Sequence, residues 1–237
     1  MTTPLDLAVA AELTTMKLAR LAHFTPARNL PHIIRDGLLR SVADLAQDVR
    51  ACYSATDLER FDGQRDRVCC SLQYPNGFYF AKATGKATMM NYPDWVCLLL
   101  NKRVAAAPGT LFCPRNAAAS AGIARSGVAG LRACYADRVV GQQVYTRGPN
   151  HDPGSPTDVQ AEVLVVAPVQ MSAIRAIVFP SEAAAEEEYG RLERFGLASP
   201  GHVSYVISPG MFDKWKITNA VRNSEYFSET PWSPKAA

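Results

Sequence analysis

The stretch Ser155-Pro156-Thr157-Asp158-Val159-Gln160-Ala161-Glu162-Val163-Leu164-Val165-Val166 decides the fold. A polar turn that contains a proline runs directly into an apolar, β-branched segment, which predicts a strand with Gln160 and Glu162 at or just inside its start. Residues two apart on a strand share a face. The pattern therefore predicts an amide and a carboxylate side by side at the edge of a sheet, held by the buried strand behind them.

The composition indicates a large apolar core and little excess charge. The chain has 237 residues, of which 48% are hydrophobic, and no long polar linker divides it, which predicts a single domain over residues 1–237. A formal net charge of +3 provides no overall field for a polyanion. Any binding of nucleic acid would therefore need a local basic groove.

The six cysteines and the N-terminal segment indicate a reduced, intracellular setting. No two cysteines have CxxC spacing, which favours buried thiols over disulfides or a metal site. The first 21 residues contain acids and Lys17 and lack a continuous apolar segment, and no stretch of the chain reaches the length of a membrane span. We therefore expect a soluble, cytoplasmic protein with no metal and no membrane partner.

The remaining patterns predict short strands with helices inserted between them. Apolar or β-branched runs predict strands near residues 20–25, 68–72, 95–100, 110–113, 173–179 and 202–207. Helical spacing predicts helices over 5–18, 128–135 and 182–195, and another that Thr25 caps, Pro26 opens and Gly37 ends. Because regular βαβ alternation and a glycine-rich phosphate loop are lacking, the predicted fold class is mixed α+β.

Three segments have no such regular pattern. Residues 40–67 mix helix formers with charge and predict a mobile, partly basic flap. Residues 142–158 form a polar loop too long for a simple hairpin, and loops of this kind often bind a ligand. Residues 215–237 are polar, and we expect this tail to pack only in part.

A series of motifs resembles one enzyme family. The most specific is H-F-T-x-x-x-N-L-P-x-I-I-x-x-G-L, from His23 to Leu38; similar motifs follow at residues 74–80, 93–96, 112–118 and 160–165. In this order they resemble the ADP-ribosyltransferases, and most closely the DarT-type toxins that modify single-stranded DNA, over roughly residues 18 to 180. The resemblance implies an ADP-ribosyltransferase-like fold of two facing β-sheets with surrounding helices, and NAD+ as co-substrate in a cleft. It also implies an antitoxin, a macrodomain or related hydrolase, that removes the ADP-ribose.

One motif departs from the family. Thymine-modifying members typically contain Phe-Tyr-Phe-x-Pro-Arg-Ser, whereas this chain has Phe-Tyr-Phe-Ala-Lys-Ala-Thr-Gly-Lys at residues 78–86. Lys82, Lys86 or Arg115 would have to replace the arginine of that motif. The pattern is more similar to the branch that modifies guanine, with thymine as the next choice.

The resemblance assigns catalysis to Glu162, with Lys82 and Lys86 as catalytic cations. Cleavage of the nicotinamide–ribose bond builds positive charge on the ribose, which a fixed carboxylate stabilises. Glu162 could also orient a ribose hydroxyl and take a proton from the attacking base. The alternative is an exposed glutamate on an edge strand. Gln160 would read the acceptor base through its amide, or else face water.

The candidate residues for NAD+ come from the other motifs. His23 would donate a hydrogen bond to a ribose hydroxyl with help from Thr25, unless the imidazole is structural. Asn29 either caps a helix or binds the adenosine portion, and Leu30 follows it in the motif. Tyr74 and Tyr79 could stack on nicotinamide or a base, or belong to the core. Three cations could pair with the pyrophosphate or face solvent: Lys82, Lys86 and Arg115.

Substrate contacts are expected from the long loop and from one residue near Arg115. Arg147, Asn150 and His151 would form a wall of a channel for single-stranded DNA, unless the loop is an ordinary surface excursion. Asn116 lies at a strand-to-turn junction and would contact the substrate.

The sequence therefore predicts a mono-ADP-ribosyltransferase that acts on a base of single-stranded DNA as a toxin or phage-defence effector. Two other functions remain open. One is the modification of RNA or protein by the same carboxylate, because acceptor choice lies in loops. The other is a non-catalytic module that binds NAD or nucleic acid.

Overall fold

A computed structural model describes residues 4–44, 64–85, 94–119, 123–141 and 143–234. The strands are β1 Arg20–Pro26, β2 Leu38–Leu39, β3 Arg67–Leu72, β4 Trp95–Asn101, β5 Leu111–Cys113, β6 Arg125–Ser126, β7 Arg138–Val140, β8 Val144–Thr146, β9 Glu162–Val166, β10 Val169–Gln170, β11 Ile174–Phe179, β12 Ser204–Ile207 and β13 Thr230–Trp232. The α-helices are α1 Leu7–Thr15, α2 Leu30–Asp36, α3 Gly77–Thr84, α4 Gly127–Ala133, α5 Glu182–Arg194 and α6 Lys214–Asn223.

Within the described residues, the main sheet has nine strands in the order β13-β12-β11-β4-β1-β3-β9-β5-β6, and β10-β2 and β7-β8 form two separate ribbons. Except for the parallel pair β11–β12, neighbouring strands of the main sheet are antiparallel. Long apolar runs such as β4, whose residues Trp95 to Leu100 are all buried, occupy its centre. The predicted α+β class is confirmed.

The main sheet has a weak seam between β1 and β3. These strands pair at Leu21–Leu72 and Ala22–Ser71, whereas all seven residues of β1 pair with β4. The seam joins a five-stranded half, β13-β12-β11-β4-β1, to a four-stranded half, β3-β9-β5-β6. The two sheets expected from the resemblance therefore correspond to two halves of one hydrogen-bonded sheet.

Both faces of the central strands are covered by apolar side chains. Leu21 and Leu98 belong to the larger cluster on one face, while Ala22 and Leu99 belong to a second cluster on the other. Neighbouring residues of one strand thus enter different clusters, as the alternation of a strand requires. Phe80 from α3 packs against the second cluster, which places α3 over that face.

The predicted start of the second helix was wrong. Thr25 and Pro26 do not open a helix, because they pair with Val96 and Trp95 and so extend β1. A 3₁₀ turn over Ala27–Asn29 follows, and α2 begins at Leu30. Strand pairing outweighs the local capping preference of a threonine before a proline. The predicted end is confirmed, since Gly37 has a φ of 66°.

The predicted long loop and polar tail were both wrong in part. Residues Val144–Thr146 form β8, which pairs with β7 in a hairpin, so the irregular loop begins after them. The tail contains α6, whose buried residues Ile217, Ala220 and Val221 have the spacing of one helix face, and the edge strand β13. That spacing was a usable signal in the sequence. In the predicted flap, residues 45–63 lie outside the described part of the chain.

The described residues contain neither a disulfide nor a membrane-spanning helix. No disulfide joins Cys69, Cys70, Cys97, Cys113 or Cys134, and burial raises the pKa of the Cys70 and Cys97 thiols to about 12. None of the helices in the described segments is long and apolar enough to cross a membrane.

Candidate active site

Glu162 occupies an interior position in the main sheet. It is the first residue of β9, which lies between β3 and β5, and it stands opposite Ser71 on one side and Cys113 on the other. Its side chain is largely buried, with 9% of the residue exposed. The alternative interpretation, an exposed glutamate on an edge strand, is therefore wrong.

Two neutral donors orient the carboxylate of Glu162. Nδ2 of Asn116 lies 3.4 Å from Oε1, and the backbone N–H of Ala117 donates to Oε2 at 3.2 Å. Both donors come from the turn after β5, so the strand that pairs with β9 also supplies the groups that hold its first side chain. The structure thus brings Glu162 and Asn116 together. Asn116 acts on the carboxylate, a role that differs from the predicted contact with substrate.

The register places a small polar residue beside Glu162 that sequence reasoning missed. Ala22, Ser71, Glu162 and Cys113 form one row across the strands β1, β3, β9 and β5. Directly opposite residues of antiparallel strands project on the same face. Ser71 is buried and is the nearest row neighbour of Glu162 on the β3 side. No local pattern around Ser71 could have indicated this, because the relation depends on pairing across 91 positions of sequence.

His23 lies at the seam. Its Nδ1 is 2.8 Å from the backbone oxygen of Cys69 on β3, just beyond the last β1–β3 pair. A carbonyl oxygen only accepts, so Nδ1 carries the hydrogen, and Nε2 of the neutral ring is then an acceptor. The predicted donation from a neutral His23 to a ribose hydroxyl is therefore reversed: the imidazole can accept from such a hydroxyl.

His23 and Glu162 belong to neighbouring rows of the sheet. His23 follows Ala22, which is the β1 residue in the row of Glu162. The strands β1 and β9 are two strand spacings apart, or about 10 Å. The two side chains thus lie on either side of the seam, and a molecule that contacts both must reach across it.

Thr25, Asn29 and Leu30 form a buried group at the end of β1. Nδ2 of Asn29 donates to the hydroxyl of Thr25 at 3.0 Å. The side chain of Asn29 makes no capping bond to α2, so the helix-cap alternative is wrong. Leu30 is completely buried in the larger core cluster, so its side chain is a core residue.

The two candidate tyrosines have different surroundings. Tyr74 is buried, its ring centroid lies 5.4 Å from that of Phe227, and the guanidinium of Arg20 lies 5.7 Å from it. Burial raises the pKa of Tyr74 to about 12. These contacts favour the core interpretation for Tyr74. Tyr79 is half-buried on α3 and packs against the cluster that contains Ala22.

The candidate cations do not converge in the described structure. Lys82 is exposed in the last turn of α3. Arg115 donates from Nη1 to the backbone oxygen of Val140 at 2.6 Å, which ties the turn after β5 to the β7–β8 hairpin. Lys86 lies outside the described residues.

Residues 147–158, called here the clamp loop, form hydrogen bonds both within the loop and to neighbouring segments. Arg147 donates to the backbone oxygens of Ser155 at 2.8 Å and Asp152 at 3.1 Å. His151 is buried, its Nε2 lies 3.0 Å from the backbone oxygen of Pro156, and burial lowers its pKa. These bonds hold the loop together, and the predicted role of Arg147 and His151 in a DNA channel stays a prediction. Asn150 is exposed.

Gln160 lies in a turn before β9, not on the strand. Its backbone N–H donates to Oδ1 of Asp158 at 2.9 Å, and its side chain is half-buried. Because Gln160 is not part of the strand, strand alternation does not place its side chain on the same face as that of Glu162. Asp158 is buried, and burial raises the pKa of its carboxyl group. Asp158 thus shapes the turn.

Comparison with solved structures identifies the fold. The structure of Thermus sp. 2.9 DarT in complex with NAD+ matches with a TM-score of 0.55 and 16% identity, over 83% of this chain and 98% of that one. Thermus sp. 2.9 DarT in complex with ADP-ribosylated ssDNA matches with a TM-score of 0.53 and 18% identity, over 79% and 93%. Thermosipho africanus DarTG in complex with ADP-ribose matches with a TM-score of 0.52 and 13% identity, over 82% and 51%. The fold is that of an ADP-ribosyltransferase.

The sequence identifies the family. The profile of the family described as "ssDNA thymidine ADP-ribosyltransferase, DarT" matches residues 22–212, and the chain belongs to this family. The expected resemblance is confirmed, and with it the class of enzyme. The comparison with curated proteins gave no match. The matched segment contains Glu162, Asn116 and His23, whereas α6 and β13 follow it.

Proposed function

We propose that this chain transfers ADP-ribose from NAD+ to a base of single-stranded DNA, with Glu162 as the catalytic carboxylate. The observation that carries the proposal is the setting of Glu162: a buried carboxylate at the start of an interior strand, oriented by Asn116 and the N–H of Ala117. Family membership supports the same reaction.

In the proposed reaction the bond between nicotinamide nitrogen and ribose C1′ breaks, and the nitrogen keeps the electron pair. A base nitrogen bonds to C1′ and loses its proton. The Glu162 carboxylate stabilises the positive charge that builds on the ribose and accepts this proton. Asn116 and Ala117 fix the carboxylate before the reaction, so that little reorganisation is needed at the moment of bond cleavage.

The residues around the seam fit NAD+ chemically. Nε2 of His23 accepts a hydrogen bond from a ribose hydroxyl, and the Thr25–Asn29 pair supplies further polar groups at the same strand end. Lys82 and Lys86 are proposed to balance the pyrophosphate in place of the family arginine. Arg115 instead fixes the turn that carries Asn116.

The acceptor base is the finer part of the proposal. The description of the matched family names thymidine. The stretch at residues 78–86 lacks the Pro-Arg-Ser of thymine-modifying members, which is why we propose guanine first and thymine next. Gln160, three residues beyond the buried Thr157, is proposed to contact the base edge through its amide.

The proposed biological setting is a cytoplasmic toxin or phage-defence effector that residues 1–237 carry as one domain. Its partner would be an antitoxin, a macrodomain or related hydrolase, that removes ADP-ribose from DNA. Co-expression of such a hydrolase should abolish growth inhibition by the wild type. Inhibition that persists would argue against a toxin that acts through a reversible base modification.

Mass spectrometry of oligonucleotides tests the reaction and the acceptor base together. The purified protein is incubated with NAD+ and single-stranded oligonucleotides that contain one guanine, or one thymine, among adenines and cytosines. We expect one added ADP-ribose on the guanine oligonucleotide, and none with Glu162→Gln. Modification of the thymine oligonucleotide alone would move the assignment to thymine.

Other acceptors are offered in parallel. Modification of tRNA, mRNA or proteins of a cell extract, with none of DNA, would replace the proposal by an RNA or protein transferase. If no acceptor is modified and Glu162→Gln is as toxic as the wild type, a non-catalytic binding module would be the better description.

A further inference from the structure

The helix α6 covers the end of the sheet at which Glu162 lies. Ser71 and Glu162 form the last pair of β3 and β9 at that end. Three residues beyond Ser71 is Tyr74, and three residues before Glu162 is Val159; both belong to one cluster with Ile217, Ala220 and Val221 of α6. The buried face of α6 therefore packs on the two segments that lead to the catalytic carboxylate and its neighbour.

The start of α6 lies directly against α3. A Cβ atom on Gly77, the first residue of α3, would be 2.7 Å from Cα of Lys214, so only glycine permits this approach. Asp213 caps α6 by accepting from the N–H groups of Trp215 and Lys216. The position of α6 is thus fixed at its N-terminus as well as along its buried face.

The outward face of α6 is basic. The helix contains Lys214, Lys216 and Arg222 and no acidic residue. Trp215, Asn219 and Arg222 have the spacing i, i+4 and i+7, so they form one stripe about 10 Å long. Trp215 is 63% exposed, so the face of its indole ring is accessible beside these cations.

Aromatic rings accompany the cations at both ends of this stripe. At the N-terminal end, Nζ of Lys214 lies 5.0 Å from the ring centroid of Trp215 and 5.9 Å from that of Phe78. At the C-terminal end, the guanidinium of Arg222 lies 5.6 Å from the ring of Tyr145, on the β7–β8 hairpin. Rings that can stack on bases, next to cations that can pair with phosphates, are the two components of a surface for single-stranded nucleic acid.

From this arrangement we infer that the α6 track, defined as Trp215, Lys216, Asn219 and Arg222 with Tyr145, binds the single-stranded DNA that flanks the acceptor base. The inference rests on the proposed function, since it assigns a path to the same substrate. Trp215 stacks on a flanking base, and Lys216 and Arg222 pair with the phosphates. The occupant is DNA because the track is cationic and aromatic and lies over the Glu162 end of the sheet.

The experiment compares a long oligonucleotide with a short one. Both carry the acceptor base, but the short one consists of that base and its immediate neighbours. Binding is measured by fluorescence anisotropy without NAD+ over a range of salt concentrations, and turnover is measured with NAD+. Wild type is expected to prefer the long oligonucleotide.

Trp215→Ala should weaken binding of the long oligonucleotide about tenfold, because one stacked base is lost. Lys216→Gln and Arg222→Gln should each lower the slope of log affinity against log salt by about 0.7, the value for one phosphate contact on a single strand. All three variants should modify the short oligonucleotide at the wild-type rate.

Phe195→Ala and Arg175→Ala serve as matched controls, since Phe195 is also 63% exposed and Arg175 is exposed on β11. They should bind the long oligonucleotide as the wild type does. Thermal midpoints of all variants show whether the fold is intact, and Lys216→Gln tests the track even if Arg222→Gln unfolds.

The outcomes separate the inference from the proposed function. A wild type that modifies neither oligonucleotide overturns the proposed function. A wild type that modifies both, with Trp215→Ala and Lys216→Gln unchanged on the long one, overturns the α6 track alone. Equal losses on the long and short oligonucleotides would also overturn it, because the residues would then act at the acceptor base itself.

Discussion

The Glu162 site and the clamp loop both contain several polar side chains, but the hydrogen bonds of these side chains serve different purposes. At the site, an amide and a backbone N–H from the turn after β5 point to a carboxylate on another strand. In the clamp loop, Arg147 and His151 bond to backbone oxygens of the loop itself. The first arrangement orients a reactive group, whereas the second satisfies a buried backbone.

The difference follows from the need of buried backbone groups for partners. A buried carbonyl without a hydrogen bond costs about 1–3 kcal/mol, so an irregular loop that is covered by other elements recruits the nearest donors. Residues Ser155, Thr157 and Asp158 of the clamp loop are almost completely buried. Polar composition alone therefore does not distinguish a binding loop from a structural one.

The largest expected effect comes from removing the charge at the site. Glu162→Gln should lower the rate of transfer by about a thousandfold, because the amide neither stabilises positive charge nor accepts the proton. The new NH₂ group competes with one of the two donors, which should lower the free energy of unfolding by about 1 kcal/mol. Single-turnover transfer and thermal unfolding measure the two effects. A rate within a few-fold of the wild type would remove Glu162 from the mechanism.

The second effect tests the clamp loop. Arg147→Ala leaves the backbone oxygens of Asp152 and Ser155 without their side-chain donor and should lower the free energy of unfolding by about 2 kcal/mol. Denaturant unfolding measures the loss, and Arg147→Lys should recover part of it. The salt dependence of DNA binding should stay unchanged. A lower salt slope would instead show a phosphate contact, as first expected from the sequence.

A smaller effect is expected from Asn116→Ala, since the N–H of Ala117 still holds Glu162. Loss of one donor should lower kcat about tenfold and leave KM for NAD+ nearly unchanged. Single-turnover transfer and the KM for NAD+ measure the two quantities. A rise in KM with no change in kcat would instead place Asn116 in substrate binding.

The smallest effect concerns the pH dependence of the clamp loop. Burial lowers the pKa of His151 in the folded state, so below about pH 6.5 the unfolded chain binds a proton that the folded chain resists. Stability is therefore highest above this pH and falls as the pH decreases. Thermal midpoints at about pH 7.5 and about pH 5.5 should differ less for His151→Gln than for the wild type. An equal difference in both proteins would assign the pH dependence to other groups.

The sequence predicted those features that depend on local patterns. The strands at residues 68–72 and 95–100, the helix at 182–195 and the stop at Gly37 follow from hydrophobic spacing and glycine geometry, and all are present. The polar turn followed by an apolar run placed Glu162 at a strand start, which the structure confirms. Pattern recognition was sufficient where a segment's own residues determine its conformation.

Features that depend on pairing between distant segments could not be predicted. The position of Ser71 beside Glu162 requires the β3–β9 register, and Asn116 reaches Glu162 because β5 pairs with β9. Thr25 and Pro26 were assigned to a helix because their pairing with β4 was unknown. The use of Arg147 and His151 inside the clamp loop depends in the same way on where the loop is buried.

The interior position of β9 also matters for redesign. Ladders on both sides fix the backbone of Glu162, while the groups near it that would meet an acceptor come from the turn at Gln160, the β7–β8 hairpin and α6. Exposed side chains of these segments can be replaced without disturbing that ladder, because they are not part of it. The chain therefore offers a scaffold in which a new acceptor could be selected by mutating surface segments while the reaction chemistry is retained.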